Sequence, residues 1–240
     1  MGSARLNDNK LAGLLYVKYF FIRLIRKINP FAFLYPEGDK GIEAVGHREY
    51  IGGNWDEIGA LQFNFLVSKG LKPESFLLDI ACGSLRLGVK AIPYLEAGHY
   101  LGIEKEPGLV KAGLEQEMDP VVKAEKAPRI IISDAFEFSR LEQKADFAMA
   151  QSLFSHLPPD MINHCFKNLH ACLADGGAFY ATYFEVASAR KNPSKPHDHG
   201  YFAYTKQEML AFGEDNGYSA EYIGDWNHPR DQRVVEYRKV

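Results

Sequence analysis

The sequence predicts an α/β fold: a seven-stranded, mostly parallel sheet with helices on both faces and an antiparallel last strand. From Ser75 onward, short apolar runs of strand length alternate with helical patterns, which is the signature of parallel strands joined by right-handed crossovers. The last two runs are separated only by Asp225-Trp-Asn-His-Pro-Arg230, long enough for a hairpin and too short for a crossover helix. The 240 residues are 46% hydrophobic and 25% charged, the balance of a globular chain that can bury one sizeable core. That length fits one generous domain.

Composition excludes several functions. A net charge of -3 gives no global attraction to nucleic acid. Cys82, Cys165 and Cys172 are too few for a disulfide framework and point to the cytoplasm. Charge is uneven along the chain: the first thirty residues carry +5 and the remainder -8. Within that basic segment, Leu11 to Leu34 is rich in Leu, Ile, Tyr and Phe, but no uncharged stretch inside it exceeds the seven residues of Leu11 to Val17. A bilayer span needs about twenty apolar residues. The segment therefore predicts an N-terminal basic amphipathic helix, with two uses open: peripheral docking of residues 10–34 on the anionic inner membrane surface, or packing on the protein's own body. The turn-forming cluster Pro36-Glu-Gly-Asp-Lys-Gly41 ends it, dividing the chain into residues 1–37, helix and linker, and a domain over 38–240.

In that domain a Gly52-Gly53 turn precedes a helix from Trp55 to Lys69, stopped by Gly70. Strands are expected at Phe76–Ile80, Tyr100–Ile103, Arg129–Ser133, Phe147–Ala150 and Ala178–Phe184. Helices fall between them at Leu85–Leu95, Gly108–Glu117 and Pro159–Leu173, with a short turn near Phe136–Leu141. A polar stretch, Val186 to Phe202, leads to a helix at Thr205–Asn216 and to the closing strands Tyr218–Gly224 and Arg233–Lys239.

The chemistry concentrates at the strand ends. Leu77-Leu-Asp-Ile-Ala-Cys-Gly83-Ser-Leu-Arg-Leu-Gly88 is a buried strand running into a glycine turn that opens a helix, the place where an open α/β sheet binds a nucleotide-like ligand. Gly83 lets backbone approach the ligand, and Glu104, at the end of the second strand, is placed to accept hydrogen bonds from both ribose hydroxyls. Asp134-Ala135 follows the third strand and Gln151-Ser-Leu-Phe-Ser-His156 the fourth.

In these motifs, taken in order over about Tyr50 to Lys239, the sequence resembles the class I S-adenosylmethionine-dependent methyltransferases. The resemblance implies a Rossmann-like sheet and S-adenosyl-L-methionine as co-substrate. Asp79 to Gly88 corresponds to the glycine-rich first motif, Glu104 to the ribose-binding acid, Asp134 to the acid that contacts adenine, and Gln151 to His156 to the motif after the fourth strand. Asp79, Gly83, Glu104, Asp134, Ala135 and Gln151 would then bind cofactor, with Ala81, Arg86 and Lys105 beside them. Where the commonest first motif has a second glycine, two positions after Gly83, this chain has Leu85. The form Cys-Gly-Ser-Leu-Arg, with Tyr50-Ile-Gly-Gly-Asn-Trp55 upstream, is similar to a bacterial subgroup associated with sugar and polysaccharide modification, which implies a hydroxylated, carbohydrate-like acceptor.

A hydroxyl becomes a better nucleophile when a base takes its proton, and histidine is the usual choice. His156, just past the fourth strand, is the candidate; the bland alternative is a residue that caps the following helix or shapes the pocket. His197-Asp198-His199 lies on the loop expected over the acceptor side. Its two histidines would contact acceptor, and a divalent metal is an alternative, although two histidines make an incomplete site. Asp231, Glu236 and His228 near the end read as structural, with reach to the acceptor from the last hairpin as the alternative for His228 and Arg230, and Tyr50 and Trp55 would form lid and pocket wall or simply pack. Competing functions are methylation of a lipid-borne acceptor and a non-catalytic cofactor-binding scaffold. A nicotinamide oxidoreductase is disfavoured because no Tyr-x-x-x-Lys follows the fourth and fifth strands.

Overall fold

A computed structural model describes residues 36–199 and 201–240. The expected basic helix of residues 10–34 lies outside the described residues. Eight strands form one sheet: β1 (Leu77–Ile80), β2 (Tyr100–Glu104), β3 (Arg129–Ile132), β4 (Ala145–Ala150), β5 (Leu173–Glu185), β6 (Ala203–Tyr204), β7 (Tyr218–Asp225) and β8 (Gln232–Lys239). Their order is β3-β2-β1-β4-β5-β8-β7, with the two-residue β6 pairing the far end of β5. The first five strands run parallel. The last strand inserts antiparallel between β5 and β7, pairing Tyr180 with Glu236 and Ser219 with Arg238. All seven expected strands are present, and β6 is an addition that the short run Ala203–Tyr204 did not signal.

Side chains alternate across the sheet, as the pleat requires. Leu78, Ile80, Ala148, Phe179 and Tyr237 join one buried cluster, whereas Leu77, Met149, Tyr180 and Val234 join the other. Helices cover both. The helix α7 (Pro159–Cys172) presents Ile162, Cys165, Phe166 and Leu169 to the first, and α8 (Lys206–Glu214) adds Met209 and Phe212. A capping box between Thr205 and Glu208 starts α8. The opposite face is covered by α3 (Trp55–Ser68) and α4 (Gly88–Tyr94).

The structure departs locally from the expected elements. The turn cluster expected as a linker is helical from Asp39, in α1 (Asp39–Val45), followed by α2 (His47–Tyr50). The helix expected at 108–117 is α5 (Pro107–Ala112) continued by a π turn over Gly113–Glu117. An unforeseen α6 (Pro120–Lys126) follows, its first turn capped by the Asp119 carboxylate, which accepts from the amides of Val121 and Val122. Arg48 of α2 makes a two-point ion pair with Glu117, at 2.7 and 2.6 Å, and so ties the first helices beside the strand ends. No helix among the described residues is long and apolar enough to cross a membrane.

Candidate active site

The loop after β1 holds the most constrained backbone. Ala81, Gly83 and Leu85 have φ values of 58°, 55° and 67°. Every second residue is thus left-handed, a conformation that costs a non-glycine residue roughly 1–2 kcal/mol. Leu85 keeps this backbone although it is not glycine, because its side chain is fully buried and sits where a side chain on Gly88 or Gly113 would collide with it. Leu85 thus adopts, with a buried side chain, a backbone conformation that favours glycine. Ile51 lies over Gly83, at 3.2 Å from the position a Cβ there would take.

Glu104 ends β2 beside that loop. Its carboxylate accepts the amides of Gly83 at 2.8 Å, Lys105 at 2.8 Å and Glu106 at 3.0 Å. Burial still raises its pKa, against the pull of those three amides. Asp79, 4% exposed at the end of β1, accepts the Tyr100 hydroxyl at 2.6 Å, and burial lifts its pKa to about 7.

Past β4 the polar groups form a continuous network. Gln151 accepts from Arg86 at 2.5 Å and lies 3.1 Å from Nε2 of His228. Gln232, at the start of β8, accepts from Thr182 of β5 at 2.7 Å and donates to the Ser152 hydroxyl at 2.7 Å. His228 stacks on Trp226, and burial, with the nearby Arg86 and Arg230 charges, pushes its pKa down to about 3.

A strap closes the opposite rim. His156 and His197 are bonded twice: the His197 amide donates to the His156 carbonyl at 3.2 Å, and the His197 carbonyl lies 3.1 Å from Nδ1 of His156. A carbonyl only accepts, so Nδ1 of His156 carries the proton and Nε2 the lone pair. Burial lowers the pKa of His156 to about 4, leaving the ring neutral near pH 7. In His197, Nδ1 accepts the His199 amide at 3.0 Å and Nε2 lies 3.2 Å from Glu37. Between the two histidines Asp198 accepts the Tyr50 hydroxyl at 2.5 Å and pairs with Lys105. Burial works against its charge, yet Lys105 and Tyr50 hold its pKa below the usual carboxylate range. His199 packs edge-on against the Tyr50 ring.

All the expected site residues except Ala135, Trp55 and His228 line one cleft of about 480 Å³ at the carboxyl ends of β1 to β4. Ala135 faces away; its carbonyl accepts from His164 and Asn168 of α7. Trp55 also stands outside, against His47 and Arg48. Arg230 and Tyr50 are in the wall as the sequence suggested. Met161, Phe184 and Tyr201 are apolar wall residues that sequence reasoning missed, since strand-end and loop aromatics carry no pattern of their own. As a metal site His197-Asp198-His199 has no ready donors: both ring nitrogens of His197 and both oxygens of Asp198 face protein groups. Among the described residues no cluster of three or more His, Cys, Asp or Glu is placed to hold a metal ion.

A family model described as a methyltransferase domain matches residues 78–179, from β1 into β5. Magnesium protoporphyrin IX methyltransferase from Synechocystis PCC 6803, solved with S-adenosylhomocysteine, shares this architecture with a TM-score of 0.59 at 14% identity, over 80% of this chain and 92% of that one. The chain has the class I methyltransferase fold. The CcbJ methyltransferase of Streptomyces caelestis aligns with a TM-score of 0.60 at 14% identity, over 79% of this chain and 92% of its own. Human N-acetylserotonin methyltransferase, solved with S-adenosylmethionine, aligns with a TM-score of 0.61 at 12% identity, over 86% of this chain and 61% of its own. The acceptors named for the cyanobacterial and the human methyltransferase differ, so the shared fold leaves the acceptor open.

Proposed function

We propose that the chain is an S-adenosylmethionine-dependent O-methyltransferase acting on a hydroxyl of a sugar or related hydroxylated small molecule. One observation carries the reading: a single cleft brings together the Glu104 carboxylate, oriented by three amides, and the neutral His156, whose lone pair is on Nε2.

The residues present fit the co-substrate. Three amides take three of the roughly four lone-pair sites of the Glu104 carboxylate, which leaves one on Oε2 for a ribose hydroxyl, and Asp134, exposed in the cleft beyond β3, suits an adenine amino group. Gly83 leaves the backbone open where a larger residue would meet Ile51. When bound, S-adenosylmethionine supplies a methyl group activated on a sulfonium. The chain's own groups do the rest. The strap is latched by Asp198 to Tyr50 and Lys105 at the rim of the cleft. Phe184 and Tyr201, with ring centres 4.8 Å apart, offer aromatic faces on which a sugar ring packs. His156 receives the acceptor proton at Nε2 as the new C–O bond forms, and its Nδ1 bond to His197 holds the ring in that tautomer. His197 and His199, on the strap, would contact the acceptor. A cytoplasmic setting, with peripheral membrane contact through residues 10–34, belongs to the same proposal; liposome sedimentation with and without residues 1–36 tests that contact.

Calorimetric titration with S-adenosylhomocysteine tests the cofactor reading, with NAD as control. Glu104→Ala removes the acceptor of a charge-assisted hydrogen bond and is expected to weaken binding by about tenfold or more. Absence of binding to the wild type, or equal binding by the variant, sinks the assignment. Release of S-adenosylhomocysteine from S-adenosylmethionine over a panel of sugars then tests the acceptor class and separates an enzyme from a scaffold.

A further inference from the structure

The ring of His156 makes one hydrogen bond among the described residues, from Nδ1 to the His197 carbonyl. Neutral histidine in water favours the proton on Nε2, so this bond selects the less common form, the one with its lone pair on Nε2. The proton's place therefore depends on where the strap sits. Backbone bonds tie the strap at its ends: the Val186 amide donates to the Tyr204 carbonyl, and the Phe202 amide to the Ser155 carbonyl. Between those ties residues 186–199 form no helix or strand. Next to His197, the side chain that fixes the strap to the body is Asp198, which accepts the Tyr50 hydroxyl at 2.5 Å and pairs with Lys105. The contact of His197 with Glu37 joins two exposed groups and contributes little. Lys105 directly follows Glu104 and gives its amide to that carboxylate at 2.8 Å. One residue thus holds the buried acid of the cleft with its backbone and the strap with its side chain.

We propose that Lys105 and Asp198 are positioning residues that set the proton of His156: their ion pair seats the His197 carbonyl against Nδ1 and so leaves Nε2 bare, ready to take a proton in the cleft. Both act through His197, and Lys105, Asp198 and His197 connect Glu104 at one end of the cleft with His156 at the other. The use of Nε2 as a base rests on the methyl-transfer reading; the control of the tautomer does not. The competing role is structural alone: the strap stays seated without the pair, and the ring keeps its proton on Nδ1.

The test is nitrogen NMR of the full chain labelled at histidine, near neutral pH, where the protonated and the bare ring nitrogens of a neutral histidine resonate far apart. His156→Gln assigns the His156 signals by their loss. In the wild type Nδ1 is expected to be the protonated nitrogen and Nε2 the bare one. Asp198→Asn keeps an acceptor for Tyr50, and Lys105→Met leaves Asp198 with Tyr50 alone. Each is expected to raise the fraction protonated at Nε2 about two- to fivefold, the scale of a partly exposed ion pair. Lys105→Arg restores the charge and is expected to restore the wild-type pattern. Acid titration gives a second readout. Burial holds the ring's pKa at about 4, with Asp198 raising it and His197 and His199 lowering it. Loss of the Asp198 charge from a seated strap would lower that value further, whereas a released ring moves up toward 6.5. An unchanged tautomer in both variants overturns the proposal whichever way the midpoint moves, as does a wild type with its proton on Nε2. Melting temperatures confirm that the variants fold; where Asp198→Asn does not, Lys105→Met decides. Calorimetry with S-adenosylhomocysteine runs beside the NMR: a wild type that binds none refutes the methyl-transfer reading, and the positioning role still stands or falls on the tautomer.

Discussion

At the scale of single residues, Ala81 and Leu85 separate backbone strain from packing. Both are left-handed, but Ala81 is only partly buried whereas Leu85 fills the space beside Gly88 and Gly113. Ala81→Gly is expected to stabilise by up to about 1 kcal/mol, strain relief slightly exceeding the entropy that glycine adds to the unfolded chain. Leu85→Gly loses a buried leucine and leaves a cavity, so it is expected to destabilise by about 2–4 kcal/mol; urea unfolding of the pair measures both. The same loop shows what the sequence could and could not tell. The motif located the turn, but the departure at Leu85 has meaning only once Gly113, far along the chain, is seen to leave room for it. His228 yields a prediction of a different kind. Its folded pKa of about 3 lies below the unfolded 6.5, so between these values the unfolded chain binds the extra proton. Its contribution to stability is complete above pH 6.5 and declines as pH falls toward 3. His228→Gln should reduce the slope of stability against pH in that window by up to about 1.4 kcal/mol per unit, read from unfolding curves at pH 4.5 to 7.

At the scale of elements, the strap governs access. Asp198 is its latch, and Asp198→Asn keeps an acceptor for Tyr50 while removing the charge that holds Lys105. Dissociation of S-adenosylhomocysteine, followed by stopped flow, is expected to accelerate about two- to fivefold, the scale of a partly exposed ion pair. Protease cleavage within residues 186–199 should rise in parallel; unchanged rates would mean that the strap does not gate the cleft. The sequence marked His197-Asp198-His199 as important from its composition, yet the role of Asp198 required Tyr50, far away in the chain. Elements with a clear period were legible, among them α3, α7 and all the long strands. The short helices α1 and α6 were not: their sequences are dense in charge, glycine and proline, so local propensity is weak. Asp119-Pro120 was a readable start signal for α6, a capping carboxylate followed by proline at the first helical position.

At the scale of the whole molecule, the site is a property of sheet order. The ends of β2, β1 and β4 stand side by side, so Glu104, Asp79 and Gln151, which are distant in sequence, meet in one cleft. Ligand binding should therefore stabilise the entire domain: at one hundred times its dissociation constant, S-adenosylhomocysteine adds about 2.7 kcal/mol, or roughly 5–10 °C in melting temperature for a domain of this size. A shift of that size absent in Glu104→Ala would tie the effect to the ribose end of the cleft. The position of β8 has a consequence in time. The strand that comes last in sequence lies between β5 and β7, so during synthesis β7 emerges with no neighbour to join, and β5 stays an open edge until β8 arrives. Arg230 and the Gln232 bonds reach Ser152 and the cleft by the same late insertion. A nascent chain thus displays the Ala81–Leu85 loop long before β8 brings Arg230 and Gln232 to the cleft beside it.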